Sequence, residues 1–155
     1  MPYYAHIRQD ENGETIYQTV AEHLTGTAAL CREFAADFGA EADGDLMGLA
    51  HDLGKCTDAF QKRLLEGGPV VDHTTAGMLT CIKMKRPSAA ACVAGHHGGL
   101  LDVGNLRTDR AGEATLSGRF KKGVEAALLA PTAVNQQKFF FSLDNVTALL
   151  SGVLA

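Results

Sequence analysis

The sequence predicts an all-α domain, with a small β-hairpin at its N-terminus. Apolar residues recur with a helical period along most of the chain, and Gly or Pro follows most of these periodic segments. Hydrophobic residues make up 46% and charged residues 21% of the 155 residues, which is the composition of a globular protein. At this length we expect a single domain, residues 1–155.

The hairpin is predicted from two short polar and aromatic runs within residues 3–18. They flank Asn12-Gly13, a dipeptide that favours tight hairpin turns. The first helix is predicted from Thr19 to Phe38 and ends at Gly39. Its predicted apolar face comprises Val20, Leu24, Thr27, Ala28, Leu30, Cys31, Phe34, Ala35 and Phe38.

A second helix is predicted from Asp43 or Gly44 to Leu53. Apolar residues surround most of it, so we expect it to be central and buried. Thr57 can cap a third helix, which Gly67-Gly68-Pro69 ends. The remaining predictions are helices over Thr74–Lys85 and Ser88–His97, an irregular Gly-rich loop over residues 98–115, and two helices on either side of Pro131.

Composition argues against several classes of protein. The first residues do not resemble a secretion signal and no apolar run is long enough to span a membrane, so we expect a cytoplasmic protein without a membrane partner. The four cysteines are scattered, which favours buried free thiols over a zinc ribbon or a disulfide framework. A net charge of −4 does not favour a stand-alone nucleic-acid binder, so a polyanionic substrate must be held locally. The basic residues at 83–86 and 119–122 are read as solvated helix faces.

His51 and Asp52 stand together in the apolar segment LMGLAHDLG. A carboxylate taken out of water needs a partner or a metal. The other candidate residues on predicted inward-facing helix positions are His23, His73, His96 and His97, whereas His6 on the hairpin looks unconnected to them. Each histidine alone is more often a satisfied core residue. Together they indicate a pair of divalent metals, because neutral imidazoles donate lone pairs and one carboxylate can bridge two cations.

Four segments in this order and spacing carry a resemblance: HLTGTAALCREFA, GLAHDLGKCTDAFQ, VDHTTAG and AGHHGGL. They resemble the HD nuclease domain of the CRISPR-associated helicase-nuclease of type I systems, a branch of the HD phosphohydrolase superfamily. The resemblance runs from about Tyr17 to Asp102 and is weaker afterwards. It implies an HD-domain helical bundle.

The resemblance also implies a ligand set. One metal would be held by His23, His51 and Asp52, and a second by Asp52, His73, His96 and His97. Asp52 and Lys55 would be the catalytic residues, with Lys55 near the scissile phosphate. Ligation rich in imidazole favours Fe, Ni, Mn, Co or Zn over Mg, with up to two ions in the complete domain.

The family pattern closes the first metal site with a later aspartate, and here the sequence departs from it. Asp144 is the only acid after Glu125, and it lies in an unexpected context, FFFSLDN. We therefore expect the chain to be an N-terminal piece of a longer polypeptide, with the missing ligand beyond Ala155 or at Asp144. On its own this piece should hold at most one metal tightly.

The resemblance implies a metal-dependent nuclease that cleaves single-stranded DNA in CRISPR interference. Its implied partners are a helicase domain, fused or separate, and a crRNA-guided surveillance complex. Two alternatives stay open: a nucleotide phosphohydrolase of the same superfamily, and a non-catalytic interaction domain with an incomplete metal site. We also expect the loop from Gly98 to Ala114 to be mobile, because few of its residues can anchor it. His6 lies outside every motif, so we expect His6→Ala to have little effect on metal binding.

Overall fold

The computed structural model describes residues 2–129 as a helical bundle with an N-terminal hairpin. The predicted fold class is confirmed. The strands are β1 (Tyr4–Gln9) and β2 (Thr15–Thr19); the helices are α1 (Val20–Ala36), α2 (Glu41–Ala50), α3 (Asp58–Glu66), α4 (Thr74–Lys83), α5 (Pro87–Gly95) and α6 (Leu116–Leu129), with a short 3-10 turn at Leu53–Cys56. Among the helices of the described residues, none is long and apolar enough to cross a membrane.

The hairpin pairs β1 and β2 antiparallel around the predicted Asn12-Gly13 turn. Gly13 has a φ of 81°, and the Asp10 carboxylate accepts hydrogen bonds from the backbone N–H groups of Asn12 and Glu14. The register shifts between Tyr4 and His6, so Ala5 is an extra residue that forms a bulge. Ala5 is buried in the helical core, which anchors the hairpin on the bundle.

Helix α1 begins with a capping box. Thr19 accepts a hydrogen bond from the Glu22 N–H, and the Glu22 carboxylate accepts one from the Thr19 N–H. Helix α2 packs very closely against α1. Gly48 permits this approach because it has no side chain: a Cβ there would lie 2.3 Å from the Cα of Ala28. Helix α2 also contacts α4 and α5, and its C-terminal half is buried, which confirms its predicted central place.

The predicted apolar face of α1 is only partly buried. Val20, Leu24, Ala28 and Ala35 lie in the interior, but Leu30, Phe34 and Phe38 are 54%, 67% and 73% exposed. The prediction was wrong for these residues because α2 covers only the side of α1 that carries its small residues. Helical periodicity predicts which residues share the apolar face of α1, but how much of that face is buried depends on the width of the helix that packs on it.

Several helix ends differ from their predictions. Helix α2 ends at Ala50, so His51 and Asp52 lie just beyond it and not within it. Helix α4 ends at Lys83, and Lys85 adopts a left-handed conformation with a φ of 60°. Thr57 caps α3 as predicted, by accepting a hydrogen bond from the Phe60 N–H. The helix predicted after Pro131 lies outside the described residues.

The segment 98–115 lacks helices and strands, as predicted, apart from one bridge between Asp102 and Thr115. It is nevertheless well anchored, so the expectation of few anchors was wrong. The Asp109 carboxylate accepts hydrogen bonds from the hydroxyls of Thr115 and Ser117 and from the Asn105 N–H. The N–H of Leu116 donates to the Asp102 carbonyl at 2.9 Å. These contacts tie the segment to the start of α6.

Candidate metal centre

Asp52 lies at the centre of a histidine cluster formed by the ends of three helices, α2, α4 and α5, and by the interior of a fourth, α1. The chain leaves α2 at Ala50 and turns through His51 and Asp52 into the 3-10 turn. The Asp52 residue is only 3% exposed. His23 comes from α1, His73 precedes α4, and His96 and His97 follow α5. The structure thus brings together all six residues that the sequence predicts as ligands.

The two carboxylate oxygens of Asp52 face different groups. Oδ2 lies 2.9 Å from His23 Nε2, 3.2 Å from His51 Nε2 and 2.8 Å from Lys55 Nζ. Oδ1 lies 3.4 Å from the Nε2 atoms of both His73 and His96. Oδ1 is buried and has no hydrogen-bond partner. Because buried polar atoms are nearly always satisfied, this oxygen is best explained as a ligand for a cation.

The imidazoles are oriented with Nε2 toward the centre. The Nδ1 atoms of His51 and His96 each lie 2.8 Å from a carbonyl oxygen, that of Gly48 and of Val93, one turn back. A carbonyl can only accept, so Nδ1 carries the hydrogen and Nε2 presents a lone pair. His73 Nδ1 lies 3.2 Å from the Val71 carbonyl in the same way. Backbone contacts of this kind are usual for metal-binding histidines.

Nitrogen atoms face one another across the cluster. His23 Nε2 lies 3.0 Å from His51 Nε2, and His73 Nε2 lies 2.9 Å from His97 Nε2. Donor atoms of Asp52, His73, His96 and His97 all lie within 4.8 Å of one another. Converging lone pairs repel unless a proton or a cation lies between them, so the donor set fits divalent metal.

Electrostatics keep Asp52 ionised. Burial by itself would raise the pKa of this carboxyl, but the Lys55 ammonium, 2.8 Å from Oδ2, and the other polar contacts of the cluster outweigh burial and hold the pKa far below its usual range. Burial lowers the pKa of His23, and burial together with His96 and His73 lowers that of His97. Both effects favour the neutral rings that bind metal. The contact with Asp52 raises the pKa of His96.

Lys55 is buried against Asp52 and reaches toward the hairpin. Its Nζ donates to the Ala5 carbonyl at 3.3 Å and lies 3.1 Å from His6 Nε2. Gln61 fixes this arrangement, because its amide pairs with both backbone groups of Tyr4 and donates to the Lys55 carbonyl at 2.7 Å. The hairpin is therefore joined to the cluster.

His6 was wrongly judged to be unconnected. Its ring packs edge-on against that of His23, with 4.7 Å between centroids, and donor atoms of His6, His23 and Asp52 lie within 4.8 Å of one another. The contact joins residues far apart in sequence, and no local pattern in the hairpin signals it. The only hint in the sequence was that the other five of the six histidines were all assigned to one predicted metal site.

Three glycines allow the close packing of the cluster. A Cβ at Gly54 would lie 2.4 Å from the His73 Cα, and the Gly54 N–H donates to the His73 carbonyl. A Cβ at Gly77 would lie 1.9 Å from the Ala50 carbonyl oxygen. At Gly95 the Leu100 backbone comes within 3.3 Å of the Cβ position. Glycine thus sets the distance between the elements that carry His51, His73 and His96.

Two polar residues position the ligands: sequence reasoning missed Asp72 and wrongly read Arg119 as part of a solvated helix face. Asp72 accepts hydrogen bonds from the N–H groups of Thr74 and Thr75 at 3.1 Å, which caps α4 beside His73. Arg119 of α6 donates from Nη1 to the Thr74 hydroxyl and to the Ala94 carbonyl, both at 2.9 Å. It therefore links the start of α4 to the end of α5, where His73 and His96 stand.

Comparison with family models agrees with this geometry. The HD domain model matches residues 20–121, about two thirds of the chain, including every ligand predicted from the sequence. The chain belongs to the HD domain family. HD domains are typically metal-dependent phosphohydrolases, in keeping with the Asp52 cluster.

A second family model, described as putative TM nitroreductase, matches residues 110–155. That match covers less than a third of the chain, lies mostly outside the described residues and contains none of the clustered histidines. A search of curated proteins finds no match.

Proposed function

We propose that this HD domain hydrolyses phosphodiester bonds in single-stranded DNA. The observation that supports this most strongly is the division of Asp52 between two groups of imidazoles, with Oδ1 buried and unsatisfied. His23 and His51 would hold one cation with Oδ2, and His73, His96 and His97 would hold the other with Oδ1. Fe, Ni, Mn, Co and Zn all suit such imidazole-rich ligation.

Bound divalent cations would supply a Lewis acid for a phosphate oxygen and a water of lowered pKa. The chain's own residues provide the rest. Asp52 remains ionised and orients the surrounding imidazoles. The Lys55 ammonium is buried 2.8 Å from Asp52 Oδ2, and on this proposal it turns toward a phosphate oxygen and stabilises the negative charge that develops there.

The surroundings of the cluster support a strand-like substrate over a free nucleotide. His6 and His97 are both exposed, and each belongs to one of the two groups of donor atoms that share Asp52, so the centre is reached from the surface. Beside His6 lies a groove of about 460 Å³ whose walls include Arg8, Tyr17 and Glu22, and the Glu22 carboxylate is engaged by the N–H and the hydroxyl of Thr19. A guanidinium and an aromatic ring suit phosphate contact and base stacking in a single strand.

A role in CRISPR interference is proposed from the sequence segments alone. Phe60 and Gln61 after HDLGK, the VDHTTAG segment and the paired histidines before Gly98 are the features that resemble the type I helicase-nucleases. On this proposal, a helicase domain supplies unwound DNA and a crRNA-guided surveillance complex recruits it. A cytoplasmic location follows from the same proposal.

The test is to assay cleavage of circular single-stranded DNA beside hydrolysis of nucleotides, with added Mn²⁺ or Ni²⁺. We expect metal-dependent nicking of DNA that Asp52→Ala abolishes while the domain stays helical. Asp43→Ala is the matched control, because this acid pairs with Arg86 on the surface, away from the cluster. Hydrolysis of nucleotides alone would favour the phosphohydrolase, and no turnover in the metal-loaded domain would favour the interaction domain.

A further inference from the structure

The N-terminal hairpin brings a histidine to the half of the cluster that lacks a closing acid. Among the described residues, that half has His23, His51 and Asp52 Oδ2, whereas the other half has three imidazoles and Oδ1. His6 points its Nε2 into the first half. We propose that His6 is a fourth ligand of the first metal, a role that rests on the metal-dependent function proposed above.

The backbone around His6 supports a built position. The bulge at Ala5 buries that residue in the core and breaks the regular alternation of β1 immediately before His6. Bulges commonly re-aim side chains next to active sites. Gln61 clamps Tyr4 through two hydrogen bonds, of 2.8 and 2.9 Å. The strand is thus fixed immediately before His6, and Gln61 links it to the backbone of Lys55, three residues after Asp52.

The chemistry of His6 also suits a ligand. Its Nε2 lies 3.1 Å from Lys55 Nζ, and an ammonium can only donate, so this nitrogen presents a lone pair. The Lys55 ammonium lies 2.8 Å from Asp52 Oδ2, so a cation on that oxygen would repel it. Asp52 Oδ2 and His6 Nε2 would then both be free to bind the cation.

This assignment changes the expected stoichiometry. With His6, residues within the described part of the chain supply four donors to the first half, and neither Asp144 nor a residue after Ala155 is required. Two tightly bound ions per chain are then expected, in place of at most one.

The experiment measures binding of Co²⁺ to the metal-free 155-residue chain by equilibrium dialysis, with visible absorption to follow the coordination. Wild type should bind two ions. His6→Ala should lose affinity for one of them by about tenfold or more, which is the scale of losses seen even for residues that only support a ligand. His6→Asp should retain it, because a carboxylate can replace the imidazole. Gln9→Ala, an exposed residue on the same strand that does not line the groove, is the matched control and should bind as wild type does.

Two further variants separate the alternatives. His6→Gln keeps an acceptor for Lys55 but replaces the imidazole. It should therefore lose metal affinity as His6→Ala does. Wild-type metal affinity in His6→Gln would show that His6 acts only through Lys55 and would overturn the proposal. Undiminished binding by His6→Ala, or loss of the same ion in Asp144→Ala instead, would also overturn it. The readout is independent of DNA cleavage: if wild type binds both ions but cleaves no DNA, the ligand assignment stands and the proposed substrate fails.

Discussion

Removing the Asp52 carboxylate should destabilise the metal-free domain as well as abolish its metal binding. Asp52 and Lys55 are both buried, with their charged atoms 2.8 Å apart. Asp52→Ala would leave the Lys55 ammonium in the interior without a carboxylate partner. The cost of that unpaired charge, and not the small volume lost, dominates the expected effect.

The magnitude follows from opposing terms. At 2.8 Å and an effective dielectric of about 20, the attraction between the two charges is about 6 kcal/mol. Desolvation costs several kcal/mol for each ion, so the pair as a whole contributes little net stability. Truncating one partner forfeits the attraction but keeps the desolvation of the other, for a loss of about 3 kcal/mol. Since domains usually have about 5–15 kcal/mol of stability, the variant should still fold.

The assay is urea unfolding followed by circular dichroism, in a chelator at neutral pH. Asp52→Ala should lower the free energy of unfolding by about 3 kcal/mol. Adding Lys55→Met should recover much of that loss, since the double variant has no unpaired charge. A single variant destabilised by less than about 1 kcal/mol, or a double variant as unstable as the single one, would refute the buried-pair reasoning.

Three other predictions test the surroundings of the cluster. Gly77→Ala should lower the free energy of unfolding by about 2 kcal/mol or more, because the new Cβ would lie 1.9 Å from the Ala50 carbonyl oxygen. The control is Gly26→Ala, where nothing lies within 4 Å of the new Cβ. Equal melting temperatures for the two variants would contradict this account of the packing. Arg119→Ala should weaken metal binding at the half containing His73 and His96 more than at the other half, and equal losses in a Co²⁺ titration would count against a positioning role. Hydrogen bonds from Ser117 and Thr115 lower the Asp109 pKa from 3.8 to about 2, so Asp109 adds stability above pH 3.8 that is lost as pH falls toward 2. The melting temperature of wild type should therefore exceed that of Asp109→Asn near neutral pH and converge with it in acid; a gap that is constant with pH would contradict this.

The helices and their starts were predictable because their signals are local. The first helix begins after Thr19, where its apolar periodicity starts; Thr57 caps α3 as predicted, and Gly67 ends α3. The exposure of Phe34 and Phe38 was not predictable, since it depends on how narrow a contact α2 makes with α1. That contact depends in turn on Gly44 and Gly48, which a count of apolar residues does not register.

The candidate site was predictable where residues repeat a known spacing. His23, His51, Asp52, His73, His96 and His97 were identified from sequence and meet in space, although their role as ligands remains a prediction. His6 was missed because its contact with Lys55 spans 49 residues and depends on a bulge. The anchoring of loop 98–115 was missed for a similar reason: Asp109 finds Thr115 and Ser117 only after the loop closes.

The most direct test of a two-metal centre on Asp52 is anomalous diffraction from crystals of this chain equilibrated with Mn²⁺. The account predicts two peaks beside Asp52. One should lie on the side of Oδ2, among His23 and His51, and the other on the side of Oδ1, among His73, His96 and His97. No peak beside Asp52 at saturating Mn²⁺, or a single ion bound away from the carboxylate, would contradict the central claim.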